Sequence, residues 1–409
     1  MTTPPVSVIV VSRGRGESLG LTLTGLSRLF HDHYEIVVVA DAEGQDAVRR
    51  AGLQDEVKVV PFADPNISAA RNRGIMQAAG EIIAFIDDDA VPEPSWLSYL
   101  TAPFTDPEVA AVGGFVIGRN GISFQWKASS VDHTGSATPL AVDETRATAL
   151  TPPAGRAIKT EGTNMAFRRS VLAGLGGFDP AYRFFLDETD LNMRLAKAGY
   201  VTAIAPMARV HHAFAASPRR AASRAPTDLF EIGASLSVYL RRHCPVADRA
   251  HVVAAFTKAR DRSLIDHMVV GRLEPRDVRR LRRRLAEGIA AGQQRPLTPL
   301  PDLGHSAAAF RPFETRIRQP SVTIAGRIWQ GRRLRAQAAA KAAQGACVSL
   351  FLLSHTTRRH RVRMRPDGVW EQTGGLWGRS DRRTKIMRLT TFRKRISKEI
   401  QRISLLRGL

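Results

Sequence analysis

A chain of 409 residues is longer than one hydrophobic core usually serves, so we expect two or more structural units. Its two cysteines, Cys244 and Cys347, are too few for a disulfide framework or a cysteine metal cluster, and they fit a reducing compartment. The net charge of +22 is unevenly distributed, because residues 1–216 carry 19 Lys and Arg against 24 Asp and Glu, whereas residues 217–409 carry 41 against 14. The basic second half therefore indicates an anionic partner such as nucleic acid or lipid.

The beginning of the chain lacks the basic and apolar segments of a secretory signal. Its apolar runs are also much shorter than the roughly 18 to 20 residues that a membrane span requires. We therefore expect the protein to be cytoplasmic.

Short apolar runs alternate with amphipathic stretches along the first part of the chain. The sequence predicts strands over 6–12, 35–40, 57–60 and 81–86, with helices over 17–30, 43–52 and 66–79 between them. This order predicts an α/β fold with a mostly parallel sheet, whose ligands lie at the carboxyl ends of the strands. Further predicted elements are a helix at 95–101, a strand at 109–117, an irregular stretch at 118–160, a helix at 187–199 and a strand at 201–205.

The composition shifts toward Arg and Ala after residue 217. Helices are predicted near 227–242, 246–266 and 275–292, and a Pro-rich linker at 296–301 leads into a basic tail. We expect a first domain at 1–217, a helical basic extension at 218–295 and a basic C-terminal region of unknown role at 296–409. Within the last of these, 368–378 is predicted to be a small β-rich or looped element.

Three consecutive acids, Asp87, Asp88 and Asp89, follow the predicted strand 81–86. Carboxylates at the carboxyl end of a strand face the crevice in which nucleotides bind. Together with phosphate oxygens they can hold Mg²⁺ or Mn²⁺, which neutralises a diphosphate leaving group. Taken alone, three acids are as often a solvated turn, so the neighbouring motifs must decide between the two interpretations.

Several motifs accompany these acids in a fixed order along residues 5–217. They are the opening strand Ser7-Val-Ile-Val-Val-Ser12, the segment Asn66 to Gly74, Gly162-Thr-Asn-Met-Ala-Phe-Arg-Arg169, Gly176-Gly-Phe-Asp179, Asp187-Glu-Thr-Asp-Leu191 with Arg194, and His212 followed five residues later by Ser217. As a set, the motifs resemble those of the family 2 inverting glycosyltransferases of the GT-A fold. The resemblance implies a GT-A-type nucleotide-diphospho-sugar transferase domain, followed here by the basic, largely helical C-terminal region.

The resemblance also implies roles for individual residues. Asp41 would contact the nucleobase, Asp87 the ribose or the metal, and Asp89 would be a direct metal ligand. The residues implied to bind the nucleotide sugar are Asp41, Arg71, Asp87, Asp88 and Asn164, and the implied ligands of Mg²⁺ or Mn²⁺ are Asp87, Asp89 and His212. Its neighbour His211 is expected to be a surface packing residue.

The catalytic base is expected in the acid pair at the start of the helix 187–199. An inverting transfer requires a carboxylate on the acceptor side to take the hydroxyl proton, separate from the cation on the leaving-group side. The resemblance assigns this role to Glu188. Asp187 remains a rival, because the family more commonly has Glu-Asp than Asp-Glu there. Asp190 is as well explained by the start of a helix as by a functional role.

The expected donor is UDP- or dTDP-linked, and the expected acceptor is lipid- or glycan-linked. Three Arg-rich clusters, at 279–284, 358–365 and 393–395, are expected to dock the enzyme on the anionic inner membrane surface. Nucleic acid is the less favoured partner, because aromatic residues are not interleaved with these charges. Trp126, in the irregular stretch, could stack on a sugar or belong to the core.

Two other functions remain open from the sequence. A sugar nucleotidyltransferase would share the architecture, although the segment 12–17 only weakly imitates its Gly-rich loop. A non-catalytic nucleic-acid-binding protein with a retired enzyme domain would explain the basic half, but it would not explain why the acids are kept together.

Overall fold

The structure is a computed structural model that describes residues 4–213, 219–306, 308–381, 385, 387 and 389–409. Within these residues, no helix combines the length and apolar character needed to cross a membrane.

The N-terminal region is built from strands and helices in alternation. Its strands are β1 (Val6–Ser12), β2 (Tyr34–Ala40), β3 (Lys58–Pro61), β4 (Ile82–Asp87), β5 (Ala90–Pro92), β6 (Val109–Ile117), β7 (Phe124–Trp126), β8 (Ser129–Asp132), β9 (Ala137–Pro139), β10 (Thr148–Leu150), β11 (Arg156–Lys159), β12 (Met165–Arg168) and β13 (Val201–His212). Its helices are α1 (Gly16–Leu26), α2 (Ala42–Arg50), α3 (Ile67–Gln77), α4 (Trp96–Thr101), α5 (Arg169–Gly174) and α6 (Asp187–Lys197).

The main sheet has the strand order β10-β13-β6-β12-β4-β1-β2-β3, with β5 and β7 paired to β13 and β6. Strand β1 is parallel to β2 and β4, and β13 is parallel to β6, while β12 is antiparallel to both its neighbours. The central strands are rich in Val and Ile on both faces, because α1 and α4 cover one face and α3, α5 and α6 cover the other. The predicted mostly parallel α/β sheet is confirmed.

Two parts of the N-terminal region differ from the sequence-based prediction. The stretch 118–160 was expected to be irregular, but it forms β7 to β11, and β11, β8 and β9 make a small separate sheet. The last strand was expected to end at residue 205, yet β13 continues to His212 across a register shift between Ala205 and Arg209. Pro206 led to the prediction that the strand ends at residue 205, because proline cannot donate a hydrogen bond to a neighbouring strand. In the structure, Pro206 lies in the irregular part of β13, so the strand continues past it.

Three helices follow, namely α7 (Phe230–His243), α8 (Val246–Val269) and α9 (Pro275–Gln294), close to the predicted positions. Helices α7 and α9 pack with their backbones nearly touching. A Cβ on Gly288 would lie 2.0 Å from the carbonyl oxygen of Phe230, so only glycine permits this approach. The Ser235 hydroxyl on α7 donates to the carbonyl of Phe184 at 2.7 Å, which ties the helices to the N-terminal region.

The described residues between 319 and 409 form a further α/β structure, here called the C-terminal unit. Its elements are β14 (Gln319–Arg327), α10 (Gly331–Ala343), β15 (Ala346–Ser354), β16 (Arg361–Met364), β17 (Trp370–Gly375) and α11 (Phe392–Arg407). The sheet order is β14-β15-β17-β16, and β15 is parallel to both its neighbours. A basic tail was expected here, but the buried strand β15 gives the unit a hydrophobic core of its own. The small β-rich element predicted at 368–378 corresponds to β17.

The C-terminal unit packs against the N-terminal region. The backbone N–H of Val362 in β16 donates to the carbonyl of Asn120 at 3.0 Å, and that of Ser95 donates to the carbonyl of Leu406 at 3.2 Å. The connecting segment also contributes, because Phe313 is buried in the core beneath Tyr34. The C-terminal unit thus contacts the residues that follow β5 and β6.

Candidate active site

The three consecutive acids lie where β4 ends and the chain turns into β5. The Asp87 side chain is 33% exposed, whereas those of Asp88 and Asp89 are 3% and 2% exposed. Asp87 therefore faces the cleft, and the other two carboxylates are held within the protein. This is the sheet edge that the sequence predicted for a nucleotide site.

Asp87, Asp89 and His212 bring their ligand atoms together within 4.8 Å. His212 reaches this point because it is the last residue of β13 and pairs with Ala90. Its Nε2 lies 3.1 Å from Oδ1 of Asp89, and its Nδ1 lies 3.2 Å from Oε1 of Gln125. Two carboxylates and one imidazole, with a second residue orienting the ring, suit a single Mg²⁺ or Mn²⁺ ion.

Asp88 is held by residues that follow β1. The Ser12 hydroxyl donates to its Oδ2 at 2.8 Å, and Nη1 of Arg15 lies 2.9 Å from its Oδ1 and 3.4 Å from Oδ2 of Asp89. Burial nevertheless raises the pKa of Asp88 to about 7. Asp88, expected to bind the nucleotide sugar, thus supports the acid cluster from within. Arg15 is a residue that the sequence analysis missed, although it lies in the loop 12–17 noted there.

Arg71 joins the two acidic parts of the site. It is 4% exposed and donates from Nη1 to Asp187, while its Nη2 lies 3.5 Å from Oδ1 of Asp87. Its guanidinium also lies 5.1 Å from the ring of Phe178. Arg71 was expected to bind the nucleotide sugar. Its donors are used by protein groups because α3 directs the side chain into the interior, which supports a positioning role, and contact with the nucleotide sugar stays a prediction.

The start of α6 has an unusual backbone. Phe185 and Leu186, which directly precede Asp187, have φ angles of 74° and 65°, a region that bulky residues seldom adopt. Such conformations persist where the surrounding structure imposes them, and they cluster at functional sites. Here they deliver Asp187 and Glu188 to the first turn of α6. No sequence signal marks this bend, because neither residue is a glycine.

Glu188 forms a charged group with two residues at the end of β11. Nζ of Lys159 lies 2.8 Å from Oε2 of Glu161 and 3.4 Å from Oε1 of Glu188. Burial acts to lower the pKa of Lys159, but the two carboxylates outweigh it and raise that pKa. Burial likewise acts to raise the pKa of Glu188, yet Lys159 and Arg71 lower it. Glu188 is therefore ionised at neutral pH. Lys159 and Glu161 were missed because β11 was not predicted.

Asp187 differs from Glu188 in both access and charge. It is 3% exposed and ion-paired to Arg71, whereas the Glu188 side chain is 16% exposed. Burial raises the pKa of Asp187 against the opposing charge of Arg71, and Glu188 adds to the rise. Of the two candidates for the base, Glu188 is thus the accessible carboxylate and the one held in its ionised form.

A cavity of about 100 Å³ lies beyond the carboxyl ends of β1 to β3. Ser12, Asp64, Asn66 and Arg183 are among the residues that line it. Asp41 lies outside the cavity, where its carboxylate accepts hydrogen bonds from the backbone N–H groups of Gly14 at 2.9 Å and Gly44 at 3.1 Å. It therefore caps α2 and fixes the loop after β1, and its contact with a nucleobase stays a prediction.

Asn164 is fully buried beneath the cleft. Its side-chain oxygen accepts from Nε1–H of Trp96 at 2.8 Å, and its amide donates to the carbonyls of Phe115 at 3.0 Å and Ala208 at 2.8 Å. These contacts support a structural role for Asn164, and its expected contact with the nucleotide sugar stays a prediction. Its polar atoms are used to join β6, α4 and the bulge in β13.

Three other residues near the site, Asp190, His211 and Trp126, contact protein side chains. Asp190 is buried and accepts from Arg194 and His243 at 2.8 Å each, which favours the structural interpretation of this residue. His211, expected to be a surface packing residue, is partly buried, with its side chain 10% exposed and its ring 4.7 Å from that of Trp370 in the C-terminal unit. Trp126 packs against the ring of His212 at a centroid distance of 5.7 Å, so it lines the metal group.

Comparisons with known proteins place the N-terminal region in a family. Residues 4–225 match the family described as "Glycosyltransferase like family 2". Because this match covers more than half of the chain, the chain belongs to that family. The resemblance inferred from the motifs is confirmed.

Curated relatives match the same region. One relative is the glucosyl-dolichyl phosphate glucuronosyltransferase of Haloferax volcanii, which is 30% identical over 42% of this chain and 56% of the relative. The O-antigen biosynthesis protein RfbC of Myxococcus xanthus is 26% identical over 53% of this chain and 18% of the relative. The pre-mycofactocin glycosyltransferase of Mycobacterium tuberculosis is 27% identical over 51% and 42%. The chain thus spans about half or less of the length of these relatives.

Among solved structures, GalNAc-T7 with UDP, GalNAc and Mn²⁺ aligns with a TM-score of 0.42 at 16% identity, over 52% of this chain and 44% of that one. TarS of S. aureus aligns with a TM-score of 0.39 at 18% identity, over 63% and 43%.

Proposed function

We propose that the chain transfers a sugar from a nucleotide-diphosphate sugar to an acceptor hydroxyl, with a divalent metal and with inversion. The observation that carries this proposal is the placement of two separate acidic groups in one cleft. Asp87, Asp89 and His212 form one group, and Glu188 on α6 belongs to the other. Arg71 lies between the groups and sets their separation.

Each group has a distinct task in this chemistry. A bound Mg²⁺ or Mn²⁺ supplies positive charge to the diphosphate as it leaves. Glu188 accepts the proton of the attacking hydroxyl at a carboxylate oxygen, while Lys159 holds that carboxylate ionised beforehand. A proton acceptor on the face opposite the leaving group corresponds to a single in-line displacement, which inverts the anomeric centre.

We further propose that the donor is UDP- or dTDP-linked, with its base in the cavity beyond β1 to β3. The cavity is small and its lining is mixed, with apolar side chains such as Val39 and Phe62 beside polar ones such as Asp64 and Asn66, which suits a planar base with polar edges. For the acceptor we propose a lipid- or glycan-linked substrate in polysaccharide or glycolipid synthesis. The names of the relatives support this class, because one refers to a dolichyl phosphate and another to O-antigen biosynthesis.

We also propose that the protein is cytoplasmic and docks on the anionic membrane surface through its basic residues. On α9, Arg279, Arg280, Arg282 and Arg283 are exposed, and each such residue near a membrane contributes on the order of 1 kcal/mol. Not every cluster residue can take part, since Arg395 is buried and paired with Glu399 at 3.1 Å. Co-sedimentation with vesicles tests the docking. Equal binding to anionic and neutral vesicles would contradict it.

The test of the catalytic proposal is thermal unfolding with UDP, dTDP or GDP, each with and without Mn²⁺. A ligand at about 100 times its dissociation constant stabilises the folded state by roughly 2.7 kcal/mol, which is a shift of a few degrees in a chain of this size. We expect one nucleotide to stabilise the wild type only when Mn²⁺ is present. Asp89→Asn should abolish the shift, and Asp55→Asn, which neutralises an exposed acid elsewhere, should retain it.

Two results would contradict the proposal. If no nucleotide stabilises the wild type and DNA or RNA does, the basic half is the functional part and the protein is a nucleic-acid binder. If a nucleoside triphosphate with a sugar phosphate is converted to a nucleotide sugar, the protein is a nucleotidyltransferase.

A further inference from the structure

A second cavity, of about 270 Å³, lies between the loop 219–226 and helices α7 and α8. The ionisable side chains that line it are all of basic residues, namely Arg15, Arg219, Arg220, Arg224, Arg260 and His267. Within the described part of the chain, no Asp or Glu lines it. Guanidinium groups converging on one concave space are the usual protein arrangement for holding a phosphate.

The remaining walls of this cavity are apolar. Leu229 and Ile232 line it near the start of α7, Leu264 lines it from α8, and the Phe184 ring closes another side. Leu264 is 2% exposed overall and belongs to the core between α8 and α9, so this wall is backed by packed side chains. An entirely polar anion would gain little from such walls, whereas an apolar chain attached to a phosphate would bury its surface against them.

The basic cavity adjoins the candidate active site. Arg15, which lines it, also reaches Asp88 and Asp89 at 2.9 and 3.4 Å. The basic cavity shares three lining residues, Arg15, Phe184 and Arg219, with the cavity beyond β1 to β3, so the two cavities meet at one wall. The opposite wall is α8, which lies outside residues 4–225 that match the family. A ligand of the basic cavity would therefore lie next to the reacting groups and be held partly by the extension.

Arg260 is the residue that most clearly depends on a ligand. Its guanidinium lies 4.7 Å from the ring of Phe256 and 5.8 Å from that of Phe185, and burial lowers its pKa. Across the residues whose structure is described, no carboxylate lies within ion-pair distance of Arg260. A desolvated cation is costly unless an anion accompanies it, and aromatic rings offset only part of that cost.

We propose that the basic cavity binds the phosphate head of an amphiphilic acceptor, whose apolar chain lies along Leu229, Ile232 and Leu264. This inference rests on the proposed function and specifies its acceptor as a lipid phosphate. The phosphate, which carries close to two negative charges at neutral pH, engages Arg260 and the arginines of the loop. The donor diphosphate is held separately, by the metal group on the other side of Arg15.

The experiment measures binding of farnesyl phosphate to the full chain by calorimetry, with farnesol and inorganic phosphate as matched probes. We expect farnesyl phosphate to bind at least tenfold more tightly than either probe, because only it carries both the phosphate and the chain. Arg260→Gln should weaken its binding about tenfold or more. Arg262→Gln, which removes an exposed arginine two residues along the same helix, should leave it unchanged.

The same protein samples are titrated with UDP and Mn²⁺ and unfolded thermally. UDP affinity that is equal in wild type and Arg260→Gln supports an acceptor site separate from the donor site. A loss of UDP affinity in Arg260→Gln assigns the basic cavity to the donor diphosphate and overturns the proposal. Equal affinity for farnesol and farnesyl phosphate also overturns it, because the charge would then be irrelevant.

If Arg260→Gln unfolds at a lower temperature than the wild type, the binding experiment is repeated with His267→Gln, which changes another residue of α8 that lines the cavity. Unchanged farnesyl phosphate binding in a folded variant of either residue overturns the proposal. A wild type that binds farnesyl phosphate but no nucleotide would contradict the proposed glycosyltransferase function instead, so the two failures are distinguishable.

Discussion

Side chains of the same chemical type have different tasks in this cleft, and their surroundings decide which. Asp187 and Glu188 are adjacent carboxylates, yet one is sealed against Arg71 and the other is partly exposed beside Lys159. Burial raises the pKa of Asp187 despite its ion pair with Arg71, whereas Lys159 and Arg71 together lower the pKa of Glu188 against its burial. The base and the positioning acid are therefore distinguished by their partners, one residue apart.

This distinction predicts different outcomes for two isosteric substitutions. Glu188→Gln should lower kcat by about 10² to 10⁴, the usual contribution of a general base, while nucleotide affinity and melting temperature stay close to those of the wild type. Asp187→Asn should instead lower the melting temperature, since Arg71 loses its buried partner. Steady-state kinetics and thermal unfolding measure both. A Glu188→Gln enzyme with unchanged kcat would return the role of base to Asp187.

Asn164 offers a second prediction at the scale of one residue. Asn164→Ala removes three buried hydrogen bonds and should lower the free energy of unfolding by about 2 to 4 kcal/mol, because the groups of Trp96, Phe115 and Ala208 lose their partner. Urea unfolding measures this change. Should the variant keep its stability and lose only nucleotide affinity, Asn164 would be a binding residue after all.

At the scale of elements, the C-terminal helix α11 reaches back to the strands that carry His212. Arg407, at its last turn, lies 2.7 and 2.9 Å from the two carboxylate oxygens of Glu93, and Nε2 of His211 lies 2.7 Å from the same carboxylate. The ring of Trp370 in β17 lies 4.7 Å from that of His211. All three charged or polar side chains are at most 10% exposed. The C-terminal unit thus holds the strand end next to His212.

Breaking this buried pair from one side should be costly. Arg407→Met leaves the Glu93 carboxylate buried beside His211 alone and should destabilise the protein by about 3 to 5 kcal/mol. The double variant Glu93→Gln with Arg407→Met should recover part of the loss, because the uncompensated charge is removed. Arg393→Met, on the exposed side of the same helix, is the control in denaturant unfolding. Equal stability of Arg407→Met and the control would show that the pair contributes nothing.

At the scale of the whole molecule, the stability of the C-terminal unit should depend on pH. His360 is buried, its Nε2 lies 2.9 Å from Nη2 of Arg395, and Glu399 and Arg402 lie nearby. Burial and the charge of Arg395 lower the pKa of His360 to about 4. In the unfolded chain the pKa of His360 has its ordinary value of about 6.5, so His360 binds a proton more readily in the unfolded state than in the folded state. The stability from this residue is therefore complete above about pH 6.5 and is lost as the pH falls toward 4.

Over that range the loss should approach about 3 kcal/mol. Melting temperatures measured from pH 7 to pH 4 should fall more steeply for the wild type than for His360→Gln. His251→Gln, an exposed histidine of α8, should follow the wild type. Parallel curves for all three proteins would mean that His360 does not titrate differently on folding.

The sequence by itself determined the elements whose cause is local. Alternating apolar runs and helical stretches located the strands and helices of the first 90 residues, and the three helices 230–294 were predicted close to their positions. The motifs also gave Asp87, Asp89 and His212 as candidate metal ligands, and the fold brings their ligand atoms within 4.8 Å of one another. These features depend on periodicity and on residues that follow strand ends, and both are properties of short segments.

Only the tertiary structure decided what depends on residues distant in the chain. Asn164 and Arg71 carry polar groups that either a ligand or the protein could use, and it is packing that commits both to the interior. The same holds for the left-handed bend before Asp187, which no glycine marks in the sequence. It also holds for two ion pairs between distant parts of the chain, Lys159 with Glu188 and Arg407 of α11 with Glu93. Sequence periodicity predicts which face of a helix or strand is apolar. The partner of a buried charge depends instead on the tertiary fold, which brings residues distant in the sequence into contact.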